Sequence, residues 1–104
     1  MELTDIQEKI KKFTTEKEMT SKVEVRVIDI ASEVGELSKE VLKGTDYGNK
    51  QFSKTKDWNC EIGDVFFSLI CIANETETNL EECLSSALDK YEQRFNYKGH
   101  LGSD

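Results

Sequence analysis

The stretch from Cys60 to Asn74, CEIGDVFFSLICIAN, constrains this chain more than any other. It is apolar almost all the way round, and in a water-soluble fold such a run predicts a helix buried on every side. Yet it carries Glu61 and Asp64, which at a spacing of three lie on one helical face about a turn apart. A carboxylate buried without a partner is costly, so two adjacent ones require a cation, a shared proton or basic partners.

The rest of the chain supplies three further helices. Thr4-x-x-Gln7, Ser21-x-x-Glu24 and Asn79-x-x-Glu82 match the reciprocal capping pattern that opens a helix. Behind the first, Leu3, Ile6, Ile10 and Phe13 form an amphipathic stripe ending near Glu18. Behind the second, Val27, Ala31, Val34, Leu37 and Val41 form the predicted core stripe, which ends at Gly44, read as a C-terminal cap. A polar loop over 44–55 with Lys50 and Lys54, and Lys56 just beyond it, reads as solvated, and Asp57 is the expected cap of the third helix. The fourth carries Leu80, Leu84, Ala87, Leu88, Tyr91 and Phe95 at helical spacing. A glycine-containing tail from about 98 to 104 follows, with His100 given no role.

The expected fold is therefore all-α: a four-helix-bundle-like protomer forming one domain over 1–104. The surplus apolar faces of the third helix exceed what a protomer this small can cover, which predicts a homo-oligomer.

Charge narrows the function classes. With 21 acidic and 14 basic side chains, the net charge of −7 disfavours nucleic-acid binding and attachment to anionic membranes. No apolar run reaches the roughly 20 residues of a membrane span, and no signal-peptide pattern opens the chain, so a cytoplasmic location is expected. Cys60, Cys71 and Cys83 show no C-x-x-C spacing and, with one histidine, make a poor zinc set. Cys60 and Cys71 read as small buried thiols.

The second helix carries a matching set of acids: Asp29, Glu33, Glu36 and Glu40 at 3-4 spacing. If the second and third helices are antiparallel neighbours, Glu33 and Glu36 meet Glu61 and Asp64 across their interface. Oxygen donors without histidine or thiolate suit a hard cation: Mg²⁺, with Mn²⁺ as substitute, less often Ca²⁺. Because Mg²⁺ commonly completes its shell with substrate phosphates, the pattern suggests phosphate processing.

These residues carry a family resemblance. Ser32-Glu33-Val34-Gly35-Glu36-Leu37 and Glu61-Ile62-Gly63-Asp64-Val65, with 24 residues between Glu36 and Glu61, resemble the E-x-x-E…E-x-x-D signature of MazG-like nucleotide pyrophosphohydrolases. The resemblance continues through Phe66–Ala73, Asn79–Glu82 and Ala87–Phe95, and Gly99–Ser103 is similar to endings of small stand-alone members. Ser32 and Leu88 depart from it, standing where relatives often carry Glu and Asn. The resemblance implies an all-α dimer or tetramer that uses Mg²⁺ to cleave a nucleoside triphosphate into the monophosphate and pyrophosphate, in nucleotide-pool house-cleaning. It implies Glu33, Glu36, Glu61 and Asp64 as metal ligands, with Glu33 or Glu36 as an alternative acceptor for the proton of the attacking water. It also implies Lys90 and Arg94 as phosphate-binding cations. Phe13 and Trp58 are candidates for stacking on the base, with core packing as the alternative reading. The competing class is a non-catalytic acidic module that binds a protein partner through the third helix. It predicts that Glu61 and Asp64 are salt-bridged to basic side chains.

Overall fold

The computed structural model describes residues 2–98, so the tail read from the sequence, His100 included, lies outside the described residues except at its first position. All regular structure among them is helical: α1 (Leu3–Glu16), α2 (Val23–Gly44), α3 (Trp58–Glu75) and α4 (Leu80–Lys98). No described helix is long and apolar enough to cross a membrane.

Helices α2 and α3 form the central pair, and their partners run in opposite directions along the chain. Ser68 donates to Asp29 at 3.4 Å, Asp64 faces Glu33, and Thr55, just before α3, reaches Glu40. The two helices are therefore antiparallel. α1 lies on α3 through an edge-to-face contact of Phe13 with Phe67, ring centroids 6.4 Å apart. α4 leans on α1 through Gln7, a buried amide with every hydrogen-bonding group engaged. Its Nε2 donates to Asn74 Oδ1 and to the Thr78 carbonyl, at 3.1 and 2.8 Å, and its Oε1 accepts from Leu80 N at 2.8 Å. One side chain thus joins the start of the chain to the α3–α4 turn.

The helix ends correct part of the sequence reading. Asn79 caps α4, its Oδ1 accepting from Glu82 N at 2.9 Å. Thr4 and Ser21 do not cap. α1 starts a residue before Thr4, with Glu2 at its cap position, and α2 starts after Lys22; neither cap makes a side-chain bond. Asp57 holds the expected position before α3, but it too makes no side-chain bond. Gly44 is not a C-terminal cap in the left-handed sense. It is the last residue of α2, buried, and a Cβ there would stand 2.6 Å from the Ser53 carbonyl and 2.8 Å from the Phe52 ring. Glycine is required because the chain returns across it. The reversal itself falls on Asp46, Tyr47 and Gly48, all at positive φ.

The larger correction concerns which faces are covered. Toward α3, α2 turns Arg26, Ile30, Glu33, Leu37, Glu40 and Gly44, its least exposed residues beyond the first turn. Of the predicted core stripe only Leu37 is partly covered, while Val27, Val34 and Val41 are 41–49% exposed. Helix α3 is not buried on every side: Ser68, Ile70, Cys71 and Ala73 are covered, but Ile62, Phe66 and Leu69 are exposed. Cys60 is exposed as well, and only Cys71 is the buried thiol expected. Leu84, Leu88 and Phe95 line an open face of α4. The chain exposes 7800 Å², about 1,900 Å² more than the roughly 5,900 Å² that size scaling gives a compact monomer of this mass. Its radius of gyration, 16.7 Å, likewise exceeds the ~13 Å of a compact domain of this length.

Candidate functional site

The site lies on the α2–α3 seam. On α2, Glu33 sits a turn beyond Asp29, a turn before Glu36 and two turns before Glu40, so successive acids fall on or beside the covered stripe. On α3, Glu61 and Asp64 occupy the first two turns. The antiparallel pairing brings Glu33, Glu61 and Asp64 together, with one carboxylate oxygen from each lying within 4.8 Å of the others.

Their electrostatics are those of a centre short of positive charge. Partial burial pushes the Glu33 carboxyl above the ordinary glutamate range, and the charges of Asp64, Asp29 and Glu36 push it further. Glu61 is raised in the same way, by burial first and then by Asp64, Glu36, Glu33 and Glu40. Glu36 pairs with Lys39 at 3.5 Å and Glu40 with Lys43 at 3.3 Å. Among the described residues, neither Glu61 nor Asp64 makes the salt bridge that the interaction-module reading requires.

The donor set fits a hard divalent cation. It consists of oxygen atoms only, and ligand oxygens at 2.0–2.1 Å from Mg²⁺ are about 3–4 Å apart, within a small side-chain adjustment of the separations here. Glu36, expected as the fourth ligand, is exposed and turned to Lys39. It remains an electrostatic neighbour of both Glu33 and Glu61.

The remaining candidates lie elsewhere. Lys90 and Arg94 are on α4, which packs mainly on α1, and both flank the Tyr91 ring, at 4.8 and 5.9 Å from its centroid. Phe13 has its ring partner in Phe67, and Trp58 has one in Phe52, edge-to-face at 5.0 Å. Spacing alone gave no sign of Glu40 as a side chain bound on both oxygens, by Thr55 and by Lys43. The Thr55 hydroxyl, with Lys43 adding, holds its carboxyl below the ordinary range against the opposing effect of burial. A threonine in a polar loop carries no motif that would have announced this.

Comparison with known proteins agrees with these features. Residues 22–98 match the MazG nucleotide pyrophosphohydrolase domain. The uncharacterized protein YpjD of Bacillus subtilis (strain 168) is 38% identical over 68 residues, 62% of this chain, and the match spans 60% of that relative's length. The crystal structure of YpjD from Bacillus subtilis, a candidate pyrophosphatase, superposes with a TM-score of 0.75 at 30% identity, covering 90% of this chain and 96% of that one. The match runs from the residue before α2 to the last residue of α4 and contains every acid of the seam. The chain belongs to the MazG nucleotide pyrophosphohydrolase family.

Proposed function

We propose that this chain is a Mg²⁺-dependent nucleoside triphosphate pyrophosphohydrolase, with Mn²⁺ as a substitute, releasing pyrophosphate and the monophosphate from (d)NTPs in nucleotide-pool house-cleaning. One observation carries the reading: Glu33, Glu61 and Asp64 converge with no salt bridge to them among the described residues, and two of them are held above their ordinary pKa. Such a cluster is stable at neutral pH when a cation completes it. Family membership then selects nucleotides among phosphate substrates.

Glu33, Glu61 and Asp64 would hold the cation, with Glu36 joining after releasing Lys39. Bound there, the cation supplies charge neutralisation for a polyphosphate and lowers the pKa of a water. Glu36, exposed beside Glu33, is within reach of solvent and suits the task of accepting a proton from the attacking water. Glu33, on the same helix, is the alternative acceptor. Lys90 and Arg94 would bind phosphate oxygens, since both side chains donate charge-assisted hydrogen bonds to phosphate. Phe13, against the middle of α3, and Trp58, at its start, offer aromatic surface for a base.

The reading includes a homo-dimer or homo-tetramer. The uncovered apolar residues of α2, α3 and α4 and the surplus surface match what an obligate interface buries. A cytoplasmic nucleotide hydrolase with no nucleic-acid or membrane partner accords with the net charge of −7.

The test is a panel of NTPs and dNTPs with Mg²⁺, scored for pyrophosphate against orthophosphate. Pyrophosphate release from at least one member is expected. No turnover on any member, together with no Mg²⁺-dependent rise in melting temperature, would overturn the proposal.

A further inference from the structure

We propose that Glu40 and Thr55 form a latch that sets how α3 docks along α2, making them positioning residues for Glu33, Glu61 and Asp64. The inference rests on the cation-binding reading of those three acids.

Glu40 lies on the covered stripe of α2, two turns beyond Glu33, and is 4% exposed. It is close enough to Glu61 to act on its charge. Nevertheless it is not available as a ligand, because both oxygens are engaged. Oε1 accepts from the Thr55 hydroxyl and Oε2 from Lys43 Nζ at 3.3 Å. Among the acids of the seam it is thus the one saturated by its own chain.

What it holds is the approach to α3. Residues 45–57 contain no helix, and they return along the end of α2 through successive anchors. Lys50 N donates to the Thr45 carbonyl and Ser53 N to the Gly44 carbonyl, each at 3.0 Å. The anchors are the last residue of α2 and the one that follows it. Thr55 reaches about one turn deeper, to a side chain on the seam, and stands three residues before Trp58, where α3 begins. Phe52 packs edge-to-face on Trp58 at 5.0 Å, which closes the connection from its other side.

Precision explains why such an anchor matters. A helix advances about 1.5 Å per residue, whereas metal–oxygen distances are held within about 0.2 Å. A small axial shift of α3 would therefore move Glu61 and Asp64 out of register with Glu33. The cap position of α3, Asp57, makes no side-chain capping bond, while Trp58 N donates back to the Thr55 carbonyl at 3.3 Å. A hydrogen bond to an ionised carboxylate is stronger than a neutral one, which suits an anchor at the start of α3.

The experiment is a Mn²⁺ titration of the full chain, read by the electron paramagnetic resonance signal of free Mn²⁺, on wild type, Thr55→Val, Thr55→Ala and Thr55→Ser. Metal-free melting curves are recorded alongside. Thr55→Val and Thr55→Ala are expected to weaken Mn²⁺ binding on the order of tenfold, as loss of an outer support does elsewhere. Thr55→Ser, which keeps the hydroxyl, is expected to retain wild-type affinity. Unchanged affinity in both Thr55→Val and Thr55→Ala, even with a lower melting temperature, overturns the latch and leaves the cation site standing. Absence of Mn²⁺ binding by the wild type overturns the cation reading and the latch with it.

Discussion

Gly44→Ala tests the return of the chain over α2 directly. Inside a helix this change normally stabilises, by up to about 1 kcal/mol from propensity. At Gly44 the added Cβ would lie 2.6 Å from the Ser53 carbonyl oxygen and 2.8 and 2.9 Å from two atoms of the Phe52 ring. Contact without strain begins near 3.4 Å, so a main-chain oxygen has to retreat by several tenths of an ångström, and the Ser53 N–Gly44 O bond of 3.0 Å is strained with it. Overpacking of this kind costs about 1–3 kcal/mol, and weakening the hydrogen bond adds up to about 1 kcal/mol. The net loss is on the order of 1–2 kcal/mol, or about 4–15 °C in Tm for a domain of this size. The assay is thermal unfolding by circular dichroism at fixed protein concentration, since the proposed assembly would make Tm concentration-dependent. Gly35→Ala is the control: no heavy atom lies within 4 Å of its Cβ position, so the substitution should be neutral or stabilising. A Gly44→Ala protein melting at or above wild type would refute the argument that close passage of residues 52 and 53 requires this glycine.

Three further predictions concern the seam and the open faces. Glu61→Gln should abolish pyrophosphate release and the Mg²⁺-dependent rise in Tm while leaving the metal-free helices intact, because it removes repulsion from Asp64, Glu36, Glu33 and Glu40. The same variant should change the pH dependence of the metal-free protein. Glu33 and Glu61 have raised folded-state values, so the native state holds extra protons, and their contribution to stability declines as pH rises from the ordinary glutamate value through the raised ones. Glu40 has the opposite sign: its lowered value contributes stability at neutral pH that is lost as pH falls through it. Denaturant melts across this range should show a shallower decline in Glu61→Gln; identical profiles would contradict the electrostatic description. Leu69→Asp, on the uncovered face of α3, should shift sedimentation from oligomer to monomer and lower Tm; a monomeric wild type would rule out the interface.

The sequence and the structure agree most closely where a property belongs to one helix. Four helices and the 3-4 spacing of the acids follow from periodicity, which is a local geometric fact. The E-x-x-E…E-x-x-D pattern identified the family for the same reason. Caps were less legible. Ser, Thr and Asn all carry a suitable oxygen, but whether it reaches the third amide depends on the direction from which the chain enters. Asn79 follows a tight turn tied to Gln7, whereas Thr4 has already been taken into α1.

Amino-acid sequence by itself determined that α3 would be apolar with two unwelcome acids, that α2 would carry acids to match, and that the surplus of apolar residues would exceed one small core. Tertiary structure alone decided which face of α2 meets α3. α2 carries two competing stripes, the apolar Val27–Val41 set and the mixed Arg26–Gly44 set, and helical periodicity does not say which neighbour covers which. The choice of the mixed stripe for α3 gathers Glu33 with Glu61 and Asp64, turns Glu36 outward to Lys39, and buries Glu40 against Thr55. It also leaves the apolar stripe facing outward, where a second copy is proposed to cover it. The meeting of Glu33 with Glu61 and Asp64, and of Glu40 with Thr55, joins residues far apart in the chain, and only the packing of one helix on another can bring them together.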